Sequence, residues 1–79
     1  MKRHPNKAIR AAVAYALARG WRFAEPGRSA HAWGFLYCPD RSRAGHIFRV
    51  WSTPRSPEDH AKDLRRTVDA CPDSLPLTP

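Results

Sequence analysis

Apolar positions in the first quarter of the chain recur at helical spacing. Ile9, Val13, Ala16 and Leu17 fall on one side of a cylinder that turns every 3.6 residues. The alanines among them favour helix intrinsically. Asn6 stands where a capping side chain belongs, and Gly20 supplies the residue that enters a left-handed cap without strain. The pattern predicts a helix from Asn6 to about Arg19. The period then falls to two. "WRFAE" sets Trp21 and Phe23 against Arg22 and Glu25. "HAWGFLYC" puts His31, Trp33, Phe35 and Tyr37 on one face and Ala32, Gly34 and Leu36 on the other. "HIFRVW" is a third strand, rich in β-branched and aromatic residues. The loops "PGRSA" and "STPRSP" and the turn "PDRSRAG" separate these elements. Ser56 then offers a capping hydroxyl, Pro57 the first helical position, and Glu58 and Asp59 first-turn carboxylates. Ala61, Leu64, Val68 and Cys71 make one apolar stripe before Pro72 stops the helix.

The order helix, three strands, helix predicts an α+β fold. It is an α-β-β-β-α two-layer sandwich, with a three-stranded antiparallel sheet and both helices on one face. The other face stays open or meets a partner. Residues 6–71 form the domain. Residues 1–5 read as a basic N-terminal arm, and 72–79 as a proline-rich tail that frays.

Composition narrows the function. A chain of 79 residues buries a small core, about 60% of its unfolded surface. Fourteen Lys and Arg face seven Asp and Glu, a net charge of +7. That imbalance favours nucleic acid over a small neutral substrate, since phosphates attract cations at long range. An acidic protein would answer the same field. No apolar run is long enough for a membrane span and no signal-peptide core follows the basic start, so a cytoplasmic protein with reduced thiols is expected. Cys38 and Cys71 show no ligand spacing with each other or with histidine, so no metal and no cofactor is expected.

The candidate chemistry gathers at one end of the sheet. A hairpin around the turn at 38–45 sets Tyr37 near His46 and His31 near Ser52. A slip of one residue would exchange faces. Six strand residues put His31 roughly 20 Å from His46, so the two cannot serve one reacting group and His46 has no chemical role. His31 instead adjoins the loops that carry Arg28, Ser29 and Arg55, and the start of the last helix brings His60 near. Imidazole moves protons near neutral pH, and guanidinium groups hold phosphate. Against this, a histidine on an aromatic strand is usually structural, loop arginines are usually just solvated, and the aromatic face is usually core.

The element order, together with "RGWRF" after the first helix, the small loop before His31, Tyr37 ending that strand and the helix "HAKDLRRTVDAC", resembles the HicA-like toxins. These have a double-stranded-RNA-binding-like fold. The resemblance spans about residues 6–71. It implies a metal-independent ribonuclease that works as an mRNA interferase, with His31 as catalytic acid and base. It also implies RNA as substrate and a HicB-like antitoxin protein as partner. Where the family has glycine and serine directly before the histidine, this chain has Ser29-Ala30-His31, which displaces the serine by one. Arg28, Arg55 and Ser29 are the expected substrate contacts, and His60 a second acid or base. Two other classes remain open: a module that binds RNA or DNA without cutting it, and a subunit that docks an acidic protein.

Overall fold

The computed structural model of the chain describes residues 3–27, 32–39 and 46–76. The element order is α1 (Lys7–Ala18), β1 (Arg22–Ala24), β2 (Ala32–Tyr37), β3 (Ile47–Trp51) and α2 (Pro57–Ala70). The strands form one antiparallel sheet in the order β1-β2-β3. The expected α+β architecture is therefore present, with each element within a residue or two of its predicted bounds.

Local signals account for the helix ends. The Asn6 side chain accepts the Ile9 N–H at 3.1 Å, which satisfies one of the orphan donors of the first turn. Past α1, Gly20 takes φ +89°, the left-handed conformation that glycine enters at least cost. At α2 the expected cap works differently. Ser56 Oγ makes no bond to the helix backbone and donates instead to the Asp59 carboxylate at 3.0 Å. Pro57 and the first-turn carboxylates Glu58 and Asp59 are left to favour the helix start.

One core joins both layers. Ile9, Ala12, Val13 and Ala16 of α1 meet Ala61, Leu64 and Val68 of α2, over Leu36 and Val50 of the sheet. Both helices therefore cover the same sheet face. Trp21 is buried beside them, and its indole N–H donates to Ser74 Oγ at 2.7 Å.

Described residues of the basic arm and of the proline-rich tail bond to the rest of the domain. His4 is 1% exposed and bonds to the end of β3. In the tail, Ser74 Oγ donates to Val68 O, and Leu75 N–H donates to Arg19 O at 2.8 Å. The Leu75 carbonyl also accepts from the Arg19 guanidinium. Backbone groups bonded to a packed helix do not fray, whatever the proline content.

The register contains a feature that strict alternation does not predict. Tyr37 pairs with Ile47, Phe35 with Arg49 and Gly34 with Val50, but Ala32 pairs with Trp51. One extra residue is thus accommodated on β2 between Ala32 and Gly34, as in a β-bulge. The expected partner near Tyr37 was His46, and the pairing there is displaced by one. The bulge also turns Trp33 off the face it was expected to share with Phe35 and Tyr37. Its ring lies 5.0 Å from Phe23, which pairs with the buried Leu36 on the helix-facing side.

Gly34 makes this packing possible. A Cβ at that position would overlap Cε1 of Phe23. Gly34→Ala should therefore destabilise the domain by about 1–3 kcal/mol through overpacking. Adding Phe23→Leu should recover part of that loss in urea unfolding. An unchanged unfolding midpoint for Gly34→Ala would contradict the close approach.

Candidate nucleic-acid interface

Of the candidate residues, His60 and Arg55 are described, and both follow the end of β3. Two histidines hold one residue there. His4 Nε2 lies 2.8 Å from the carbonyl oxygen of Trp51, and His4 Nδ1 accepts the Asn6 N–H at 3.0 Å. Accepting at Nδ1 leaves Nε2 as the nitrogen that donates to the Trp51 carbonyl. On the other side, His60 Nε2 accepts the Trp51 N–H at 3.2 Å, which places the His60 proton on Nδ1. Both backbone polar groups of Trp51, at the end of an edge strand, are thereby satisfied by imidazoles. The His4 ring also meets Trp33 edge-on at 5.2 Å, and the His60 ring stacks at a tilt on Phe48 at 5.2 Å.

His60 therefore has a structural task that its expected acid-base role did not include. Burial pushes its pKa below the usual imidazole value, Asp63 pulls it partly back, and His4 adds to the lowering. Arg55 is exposed in the loop between β3 and α2. Arg28, Ser29 and His31 lie outside the described residues. Ala32, which follows His31 in the chain, is buried and pairs with Trp51.

Beside this clamp, between α1 and the bulge, runs a groove of about 450 Å³. Ala11, Val13, Ala14, Leu17 and Trp33 give it apolar walls, and Arg3, Lys7 and Arg10 supply cations. Arg10 also donates to the His4 carbonyl at 3.2 Å, which ties the rim to the clamp. The first turn of α1 holds no acidic residue. Lys7 there opposes the helix dipole, which favours negative charge at that end. A cation placed against the dipole makes the groove mouth doubly attractive to an anion. A second hollow of about 330 Å³, lined by Pro5, Asn6, Ser52, Thr53, Pro54 and Pro57, has no charged lining.

The sheet face away from the helices also carries arginine and aromatic side chains. The Arg49 guanidinium lies 5.7 Å from the Phe35 ring centre and 5.2 Å from that of Trp51. Arg22 lies 5.9 Å from the Tyr37 ring. Ile47 is 61% exposed on the same face, so no helix covers it. Guanidinium groups over rings form a flat, cationic, stackable surface.

Sequence reasoning did not find His4 or the rim of the groove. No periodicity marks a single histidine ahead of a helix, and Lys7 and Arg10 look like any solvated helix surface. It also dismissed His46. At the opposite end of the sheet, His46 lies with Cys38 and Cys71, three donors from separate parts of the chain. Comparison with protein families, with curated proteins and with solved structures finds no match to this chain. Among the described residues no helix is long and apolar enough to cross a membrane.

The His60 shift carries a linkage consequence. Its folded pKa is depressed, so near its unperturbed value of about 6.5 the unfolded chain binds more protons. Stability then falls as pH drops from above 6.5 through the lowered folded value. His60→Gln removes this titration, so thermal unfolding from pH 8 to pH 5 should show a smaller acid-side loss than in the parent. An identical pH profile would show that the ring is not held neutral.

Proposed function

We propose that this protein binds RNA in the groove between α1 and the β2 bulge and cleaves the bound strand with His31. The observation that supports the binding half is the groove itself. It has apolar walls with one indole on which a base can stack, and three cations for the neighbouring phosphates. The net charge of +7 supplies the long-range attraction. The cleavage half rests on the resemblance to HicA-like toxins and on chain position, since His31 precedes Ala32 and lies two residues before Trp33.

The chemistry is that of RNA cutting itself with help. The 2′-hydroxyl attacks the adjacent phosphorus, the O2′–P bond forms and the P–O5′ bond breaks. A base accepts the 2′ proton and an acid donates one to the leaving 5′-oxygen. Imidazole suits either transfer because its pKa lies near working pH, and such help is worth typically 10²–10⁴-fold. Arginines at the phosphate, Arg28 and Arg55 among them, stabilise the charge that develops there. A toxin of this kind is held inactive by an antitoxin, and a HicB-like protein is the partner this reading names. It works in the cytoplasm, where its message is.

The second reading keeps the nucleic acid but omits the cut. The guanidinium and aromatic groups of the open sheet face favour it, because single strands stack on such surfaces without reference to sequence.

Three substitutions separate these readings. Lys7→Glu should weaken binding of labelled single-stranded RNA and lower the salt slope by about 0.7 for each phosphate no longer neutralised. A glutamate in the first helical turn suits the dipole, so weaker binding cannot be ascribed to a weakened helix. Arg49→Glu should leave that binding nearly intact. His31→Ala should abolish cleavage by folded, chelator-treated protein while retaining binding. The opposite pattern for Lys7 and Arg49 moves the strand to the open face. Cleavage by the His31 variant removes the histidine from the chemistry.

A further inference from the structure

Away from the groove, where β2 ends and β3 begins, three donor atoms converge. They are Cys38 Sγ, His46 Nδ1 and Cys71 Sγ, and all lie within 4.8 Å of one another. Cys38 directly follows β2, His46 directly precedes β3, and Cys71 is the C-cap of α2. The chain separation explains why no ligand spacing is visible in the sequence.

We propose that these three side chains bind a single zinc ion, with the fourth position open to solvent. Tetrahedral zinc with bonds near 2.3 Å to sulfur and 2.0–2.1 Å to nitrogen holds two sulfurs about 3.8 Å apart and sulfur from nitrogen about 3.5 Å apart. His46 Nδ1 already lies 3.3 Å from Cys71 Sγ. A separation of 4.8 Å needs a contraction of about 1.0 Å between two sulfurs or about 1.3 Å between sulfur and nitrogen, within reach of side-chain rotation.

Three further features fit a thiolate metal site. The His46 backbone N–H donates to Cys38 Sγ at 3.2 Å, a bond that favours the charged sulfur. Both sulfurs are buried, at 0% and 4% exposure, while the imidazole faces solvent and gives the ion a way in. Two thiolates also neutralise a divalent cation, so the buried site carries no net charge. Each thiol releases its proton to solvent as the metal enters. Soft sulfur donors with one imidazole select zinc over magnesium or calcium.

The ion would act as a staple. It joins the β2–β3 hairpin to the end of α2, and a domain of this size gains most from such a link. Nothing in this proposal depends on RNA binding or on His31.

The test uses the full chain, reduced and freed of metal. Cobalt(II) serves as the coloured probe and zinc as the competitor. One equivalent of cobalt should produce the intense near-ultraviolet absorption of thiolate-to-metal charge transfer, and zinc should abolish it stoichiometrically. Zinc alone should raise the thermal unfolding midpoint of the parent protein. His46→Asn sits at an exposed position and keeps both sulfurs. It should weaken zinc binding at least tenfold while folding normally. Cys71→Ser should lose the charge-transfer band. Absence of the band in the parent, or a zinc affinity unchanged in both variants, would overturn the site.

Discussion

The peptide groups of Trp51 are the point on which this small fold turns. An edge strand that ends without a partner leaves a donor and an acceptor exposed or unsatisfied, and an unsatisfied buried group costs about 1–3 kcal/mol. Here His4 takes the carbonyl and His60 gives the N–H its acceptor. The first histidine fastens the N-terminal segment to the sheet and the second fastens α2. The His60 ring must keep a lone pair on Nε2 for this, and both rings must stay correctly oriented. The same two bonds place α1, whose cap follows His4 by two residues, against the bulge that carries Trp33. The groove exists because those pieces are held at that separation.

Much of the architecture was legible because it depends on local rules. The 3.6-residue spacing of Ile9, Val13 and Ala16, the alternation through Leu36 and Val50, Asn6 and Gly20 as helix ends, and Pro57 at the start of α2 each declare themselves without tertiary information. The parts that were not legible depend on contacts across the chain. His4 looks like one residue of a basic arm until the Trp51 carbonyl appears beside it. The β2 bulge has no local signature, since a one-residue offset appears only when two strands pair. The side chain of Ser56 was expected to accept from the helix backbone, but its hydroxyl turns to donate to the Asp59 carboxylate three residues on. The cysteines looked unrelated because the positions that bring them together belong to three different elements.

The two ends of the sheet therefore have different characters. One is cationic and apolar and opens beside Trp33. The other is sulfur-rich, mostly buried and closed by the end of α2. The open sheet face, with Arg22 and Arg49 over aromatic rings, gives a third surface of distinct chemistry.

The chain's three tryptophans stand in three different settings, which makes one measurement decisive. Trp21 is buried with its indole bonded to Ser74, Trp33 lines the groove, and Trp51 lies on the open face. Titrating ¹⁵N-labelled protein with a single-stranded RNA oligonucleotide should move the Trp33 indole signal first and furthest, while that of Trp21 stays in place. Movement confined to Trp51, or no movement of Trp33 at saturation, would contradict binding in the groove.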